Sequence, residues 1–469
     1  MNGNIIERQH RKQHMTQTRP SNPRPTPAQQ RAALGVAMLG FFVVALDAQI
    51  VNVALPSMGT ELGTTLSGLQ WIVTGYTLLF SALQLFGGTL SDRIGARRAY
   101  GIGMFIFVLG SAACAAAPSL AVLVAGRVLQ GVGAAMITPT SLALIREAFH
   151  DAVQRGRAIT YWALGGSVAT AAGPVLGGVL TQFGWRWIFL VNLPVGVLAF
   201  VILSRVATST RLSAPFDWIG QISAITALGS LTYGIIEGGS QGYSAPEVLI
   251  AFGLTVLAAF VFLFAQARGR NPMMPLDLFR SSTVSTGLGI AFVSMAAFYG
   301  VVFVQSLYFQ EQRGASALMT GLLFLPMTGL VALLNPLVAR LMEHLGKIVT
   351  AIIGVLMMSA GLIALAFIPE QAPMIYTALL MIPVGLGGSF TVPPLTALIL
   401  DQVPAERTGT ASGVLNTARQ MGGSLGIAVF GAILAVQPDF QTGLRLDYLG
   451  AGVLLLLLAA ATLKLRKAA

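Results

Sequence analysis

The chain has 469 residues, 55% hydrophobic and 10% charged, with a formal net charge of +11 and one cysteine. That balance excludes an ordinary soluble domain, and a lone Cys114 excludes an internal disulfide or a cysteine metal cluster. The basic residues fall on alternate loops instead of one patch, which excludes nucleic acid as a partner.

Residues 1–31 are polar and carry Pro20, Pro23, Pro25 and Pro27, so they bury no core and read as a disordered cytoplasmic tail. The tail is too long and polar for a signal peptide, and the first apolar segment reads as a retained signal-anchor. That segment, 32–55, is 24 residues long, against the roughly 20 a bilayer demands. Further apolar segments follow near 69–90, 99–117, 120–145, 158–182, 187–204, 217–236 and 246–266. Six more lie near 284–309, 317–341, 348–368, 374–400, 409–435 and 446–463, making fourteen. Lipid offers backbone amides no partner, so each must be helical, and continuous apolarity without alternation excludes a barrel. The predicted fold is an all-α membrane protein with fourteen crossings.

Charge sets the orientation. With the tail inside, 23 of the 28 basic residues lie on the tail's side, and only Arg186, Arg313 and Arg445 lie opposite. Arg127 and Arg419 stay within helices. Such asymmetry places both termini in the cytoplasm and the chain in an inner membrane.

Within 32–55, Asp47 is the only ionisable residue. At such depth it costs on the order of 2.5–3.5 kcal/mol, which marks a functional acid. It lies eight residues below the outer end of its segment, about 12 Å at helical rise. Arg127 lies seven residues below the outer end of 120–145, at about 11 Å. If the two helices adjoin, Asp47 alternates between holding a proton and pairing with Arg127, or the two form a static ion pair.

Between the second and third segments stands Gly88-Thr-Leu-Ser-Asp92-Arg93-Ile-Gly95-Ala-Arg97-Arg98. Glycine permits a tight turn, and Asp92 can hold neighbouring basic side chains in a breakable network. This loop resembles the signature loop of the major facilitator superfamily. Leu46-Asp47-Ala-Gln49-Ile-Val-Asn52-Val-Ala-Leu-Pro56 resembles the first-helix signature of that superfamily's fourteen-helix drug:proton antiporters. Gly126-Arg127-Val-Leu-Gln130-Gly131 resembles their fourth-helix motif, and Gly173-Pro174-Val-Leu-Gly177-Gly178 their fifth-helix antiporter motif. Departures occur at Gln49, Ala96 and Ala169. The resemblance implies two pseudo-symmetric six-helix bundles and proton-coupled efflux of hydrophobic or cationic drugs. In it, Asp47 and Arg127 couple the proton, and the Gly88–Arg98 loop gates the motion. A small-molecule substrate, protons and the lipid bilayer are the partners; the proton gradient replaces any cofactor, and a monomer suffices.

The chain supports a repeat on its own. Gly133-Ala-Ala-Met-Ile-Thr-Pro139 and Gly387-Gly-Ser-Phe-Thr-Val-Pro393 share glycine and proline at a constant offset of 254. Bundles at 32–205 and 280–465 follow, with 217–266 as an inserted helix pair. On the fifth segment Gly165, Ala169, Gly173 and Gly177 form one small face, as do Ala418, Gly422 and Gly426 later, suited to close packing or to sliding.

Other polar residues are less decisive. Gln49, Asn52, Trp71, Tyr76, Tyr299, Asn416 and Arg419 are candidates for a substrate cavity, with Phe298 and Tyr308 nearby, although membrane aromatics also face lipid. No acid is expected deep in the second half, so Arg419 has no predicted partner. Glu237 ends the first inserted helix, either at the interface or as a secondary acid. His10, His14, His150 and His344 show no metal-ligand spacing, and no Walker loop or nucleophile–base motif suggests an enzyme. Uptake by a proton-linked symporter, or dedicated export of one metabolite, are the alternatives within the same fold.

Overall fold

The computed structural model describes residues 25–209, 211, 215–269, 272–404 and 407–468; side chains at 332, 335, 336 and 463–468 are outside that description. The expected disorder of the tail falls largely on residues 1–24, outside the described part. All fourteen predicted segments are helical, and no strand occurs among the described residues. The first half comprises α1 (Pro27–Leu62), α2 (Leu66–Ile94), α3 (Ala96–Ala115), α4 (Leu120–Ala148), α5 (Ala152–Thr181) and α6 (Trp187–Leu203). Two inserted helices follow, α7 (Trp218–Gln241) and α8 (Pro246–Arg268). The second half comprises α9 (Ser282–Gln312), α10 (Ala317–Leu345), α11 (Lys347–Ala366), α12 (Met374–Asp401), α13 (Thr408–Val436) and α14 (Phe440–Thr462).

Twelve of these are long and apolar enough to cross a membrane among the described residues. Instead of fourteen full crossings, the structure gives twelve plus two shorter apolar helices, Trp187–Leu203 and Ala317–Val331. α6 is interrupted at Val191, because Pro194 has no N–H for the Leu190 carbonyl. Pro383 breaks α12 at Met381 in the same way. α10 continues to Leu345, but its described apolar stretch ends at Val331.

Helices outrun their apolar runs because polar residues cap them. Thr26 accepts from the Gln29 amide and Gln29 returns the bond to Thr26 N, a capping box that starts α1 five residues before its apolar run. Asp439 accepts from Thr442 N and Oγ1, both at 2.8 Å, and starts α14. These bonds hold the Asp439 carboxyl below its usual range.

The repeat is visible in the packing. A methyl added at Gly133 would stand 2.6 Å from the Gly103 carbonyl and the Phe107 amide nitrogen; one at Gly387 would stand 2.6 Å from the Gly354 carbonyl and 2.7 Å from the Met358 nitrogen. So α4 lies on α3 as α12 lies on α11. Between halves, α2 packs on α13 and α5 on α10, the same two positions of the repeat taken reciprocally. α7 packs on α2 and on α13, across both halves, while α8 packs mainly on α7. Leu249, Ile250, Val256 and Phe260 on α8 are exposed, as a helix at the lipid boundary requires.

Candidate functional site

The small residues of the first half bring its polar helices together. α5 lies close against α1, where a methyl on Gly173 would stand 2.6 Å from Gln49 Cβ and one on Gly177 2.7 Å from the Ile50 carbonyl. Gly165 lies against Met38, and Ala169 is fully buried. Gly126 gives α4 the same closeness to α3 beside Cys114.

Asp47 and Arg127 meet inside this bundle. Both are fully buried and form an ion pair through Asp47 Oδ2 and Arg127 Nη1. Two helices not considered from sequence complete the shell. Asp47 Oδ1 accepts from Gln130 Nε2 and from Asn192 Nδ2, each at 2.9 Å. Ser111 Oγ accepts from the same two amides, at 2.7 and 3.2 Å. Arg127 donates to Gln130 Oε1 at 2.8 Å and to the Ile72 carbonyl at 3.0 Å. Its guanidinium lies 4.4 Å from the Tyr76 ring centroid, and Nη2 has no hydrogen-bond partner. Five helices thus converge on one carboxylate whose oxygens accept three hydrogen bonds. A buried pair is tolerable only when so enclosed, because desolvating two charges is costly.

The remaining candidates are scattered. Tyr76, a candidate for a substrate cavity or a lipid-facing position, is fully buried beneath Arg127 and donates to the Val44 carbonyl at 3.1 Å. It therefore belongs to the charge cluster. Gln49 and Asn52 are buried on α1, and each keeps a side-chain oxygen without a partner. Trp71 Nε1 donates to Glu237 Oε1 at 2.9 Å, tying α2 to α7; Glu237 Oε2 accepts from Ser240 and Gln241. Asn416 accepts from Arg419 at 3.2 Å, Arg419 Nε is unpartnered, and Tyr299 is buried against Gly423.

In the Gly88–Arg98 loop, Gly95 takes φ +90°, a conformation that needs glycine, and joins α2 to α3. Arg93 lies 4.9 Å from the Phe216 ring, and Arg97 reaches Ser204 O at 3.1 Å and Ser209 Oγ at 2.9 Å. Asp92 and Arg98 are exposed, and Asp92 is in none of the four ion pairs among the described residues. Gly88 approaches Pro139 of α4.

Contacts between the halves cluster on the face opposite the basic loops. Gln70 Nε2 donates to the Ala428 carbonyl at 2.8 Å, Ser306 to Asn52 O at 2.6 Å, and Gln310 to Val53 O at 2.9 Å. Ser306 and Asn52 are 254 apart, so residues equivalent in the repeat touch, as they must at a two-fold axis. A methyl on Gly178 would stand 2.6 Å from the Ala317 carbonyl, and Gly321 lies against the Pro174 carbonyl.

A family model, Major Facilitator Superfamily, matches residues 37–427. The chain belongs to that family. It is 39% identical over 403 residues to the Multidrug resistance protein Stp of Mycobacterium tuberculosis, covering 85% of this chain and 74% of that protein. It is 37% identical to the Methylenomycin A resistance protein of Bacillus subtilis, covering 92% and 91%. Among solved structures it resembles the xylose transporter XylE from E. coli, in a partially occluded inward open conformation. There the TM-score is 0.64 at 16% identity, over 93% of this chain and 99% of that one. At that identity the likeness establishes the fold alone. This major-facilitator chain is a multi-span membrane transporter and not an enzyme.

Sequence reasoning missed Ser111 and Asn192 and quoted Gln130 only as part of a motif. Gln130 stands three residues after Arg127, on the same helix face, a spacing that could have flagged it. Ser111 and Asn192 carry no charge, so nothing sets them apart. A further miss is Asp447, an acid 2% exposed on α14. No acid was expected deep in the second half, because the apolar run begins at 446 whereas the helix begins at Phe440.

Proposed function

We propose that this transporter exports drug-like molecules across the cytoplasmic membrane in exchange for protons, and that it belongs with the fourteen-helix drug:proton antiporters. The observation that carries this reading is the carboxylate of Asp47, buried with a guanidinium and two amides where α1, α3, α4 and α6 meet. A small relative movement of α1 and α4 exchanges the Arg127 partner for a proton, which links protonation to helix position. A proton falling through about 100 mV supplies about 2.3 kcal/mol, enough to drive such a step repeatedly. The charge asymmetry supports cytoplasmic termini in an inner membrane. Nothing in the site calls for a second copy, so a monomer is the working unit. The multidrug-resistance names of relatives support drug-like cargo.

The test is ethidium export from proteoliposomes bearing an imposed pH gradient, with and without Asp47→Asn. Wild-type protein should move ethidium against its concentration gradient while consuming the pH gradient, and the variant should do neither. Coupled export retained by Asp47→Asn would remove this residue from the engine. A second reading, dedicated export of one antibiotic, is favoured by relatives named for single compounds, methylenomycin A and tetracenomycin C. Those two compounds, moved when ethidium is not, would select it.

A further inference from the structure

α14 buries an acid for which the charge cluster has no use. Asp447 is 2% exposed, and among the described residues neither of its oxygens has a hydrogen-bond partner. It takes part in none of the four ion pairs among the described residues. On its own helix stand Arg445, which is exposed, and Tyr448, whose hydroxyl donates to Gln305 Oε1 at 2.5 Å. The helices packed against α14 are α9, α11 and α13. α9 brings Tyr299, Tyr308 and Glu311, α11 only Lys347 at its start, and α13 only Arg419. None of these bonds to Asp447.

The repeat explains the isolation. Asp447 follows Asn192 by 255 positions, one more than the repeat offset, and Asn192 is the α6 residue that donates to Asp47. At the offset of 254, Asp47, Arg127 and Gln130 map onto Val301, Met381 and Val384, all fully buried. The second half has therefore replaced the cation and the amide with apolar side chains, while its acid lies one residue past Leu446, the position that matches Asn192. A carboxylate there has no counter-charge and no donor, whereas a neutral carboxyl escapes most of the cost of burial.

We propose that Asp447 is a second proton-carrying carboxyl, neutral in the conformation seen here, whose proton is tied to closure of the face where α9 meets α1. The link is short. Tyr448 holds Gln305, the next residue Ser306 donates to Asn52 O, and Gln310 donates to Val53 O. Opening that face breaks the α9–α1 bonds and shifts α9 against α14. Water then reaches the carboxyl, and the proton leaves to it. Gln305 Nε2 is itself unpartnered among the described residues and buried beside a small cavity lined by Tyr308, Thr377 and Tyr448.

The inference deepens the proton-driven reading, yet its test uses no cargo. Infrared spectra of the full-length protein in lipid nanodiscs should show a protonated-carboxyl carbonyl band at neutral pH. Asp447→Asn should remove that band, Asp447→Glu should move it, and Asp47→Asn should leave it. Spin labels at Thr60→Cys and Gln312→Cys, on exposed ends of α1 and α9, report closure of the face. The long-distance population should grow several-fold in wild type from about pH 5 to about pH 9, and stay low in Asp447→Asn. A band that survives Asp447→Asn, or a pH-driven opening with the same midpoint in that variant, overturns the proposal. Failure of ethidium export with both readouts intact would instead count against the transport reading alone.

Discussion

The first half surrounds its buried acid with donors from two other helices, and the second half, among the described residues, gives its own none. Asp47 has Arg127, Gln130 and Asn192; Asp447 has no hydrogen-bond or ion-pair partner among the described residues. The same helical framework, doubled at an offset of 254, therefore supports two electrostatic settings. One suits an ion pair and the other a neutral acid. Pseudo-symmetry fixes where helices run, but a handful of side chains decides what charge each half tolerates.

Removing Arg127 should break this contrast most strongly. Arg127→Ala leaves Asp47 buried and unpaired, which costs about 3–5 kcal/mol. A large fall in apparent melting temperature in detergent is expected, partly restored by adding Asp47→Asn. Next comes Asn192→Leu, which takes one donor from Asp47 and one from Ser111, for about 1–3 kcal/mol. Overpacking at the seam between halves should have a similar size. Gly178→Val drives a side chain into the Ala317 carbonyl and should cost about 1–3 kcal/mol, seen as easier cross-bundle opening by hydrogen exchange. Asp447→Leu sharpens the contrast by its sign, since exchanging a lone buried acid for an apolar group should leave the melting temperature unchanged or higher. The smallest effect belongs to Trp71→Phe, which loses the bond to Glu237 for about 0.5–1.5 kcal/mol and should loosen α7 without unfolding either half.

The helical architecture was legible because membrane helices announce themselves through long apolar runs. The Asp47–Arg127 meeting was legible for a related reason, since two charges in uncharged runs stand out and helical rise gives each a depth. Uncharged polar residues offer no such contrast, so Ser111 and Asn192 were invisible until the bundle brought them to Asp47. Asp447 was hidden differently. The first two turns of α14 are amphipathic, with Gln441 and Arg445, so the apolar window opened after the helix had already descended. Tyr76 stayed ambiguous because a membrane tyrosine reads equally as cavity lining, lipid anchor or cation platform. Only the position of Arg127 above its ring separates these.

The inserted pair leaves the two sides of the molecule unequal. α7 lies along the seam between α2 and α13, fastened by Gln221 to the Ala82 carbonyl and by Trp71 to Glu237. The matching seam between α5 and α10 has no such cover among the described helices, and Met319 and Leu322 stand exposed along it. A greasy molecule drifting sideways among the acyl chains therefore meets one seam curtained by α7 and one left bare.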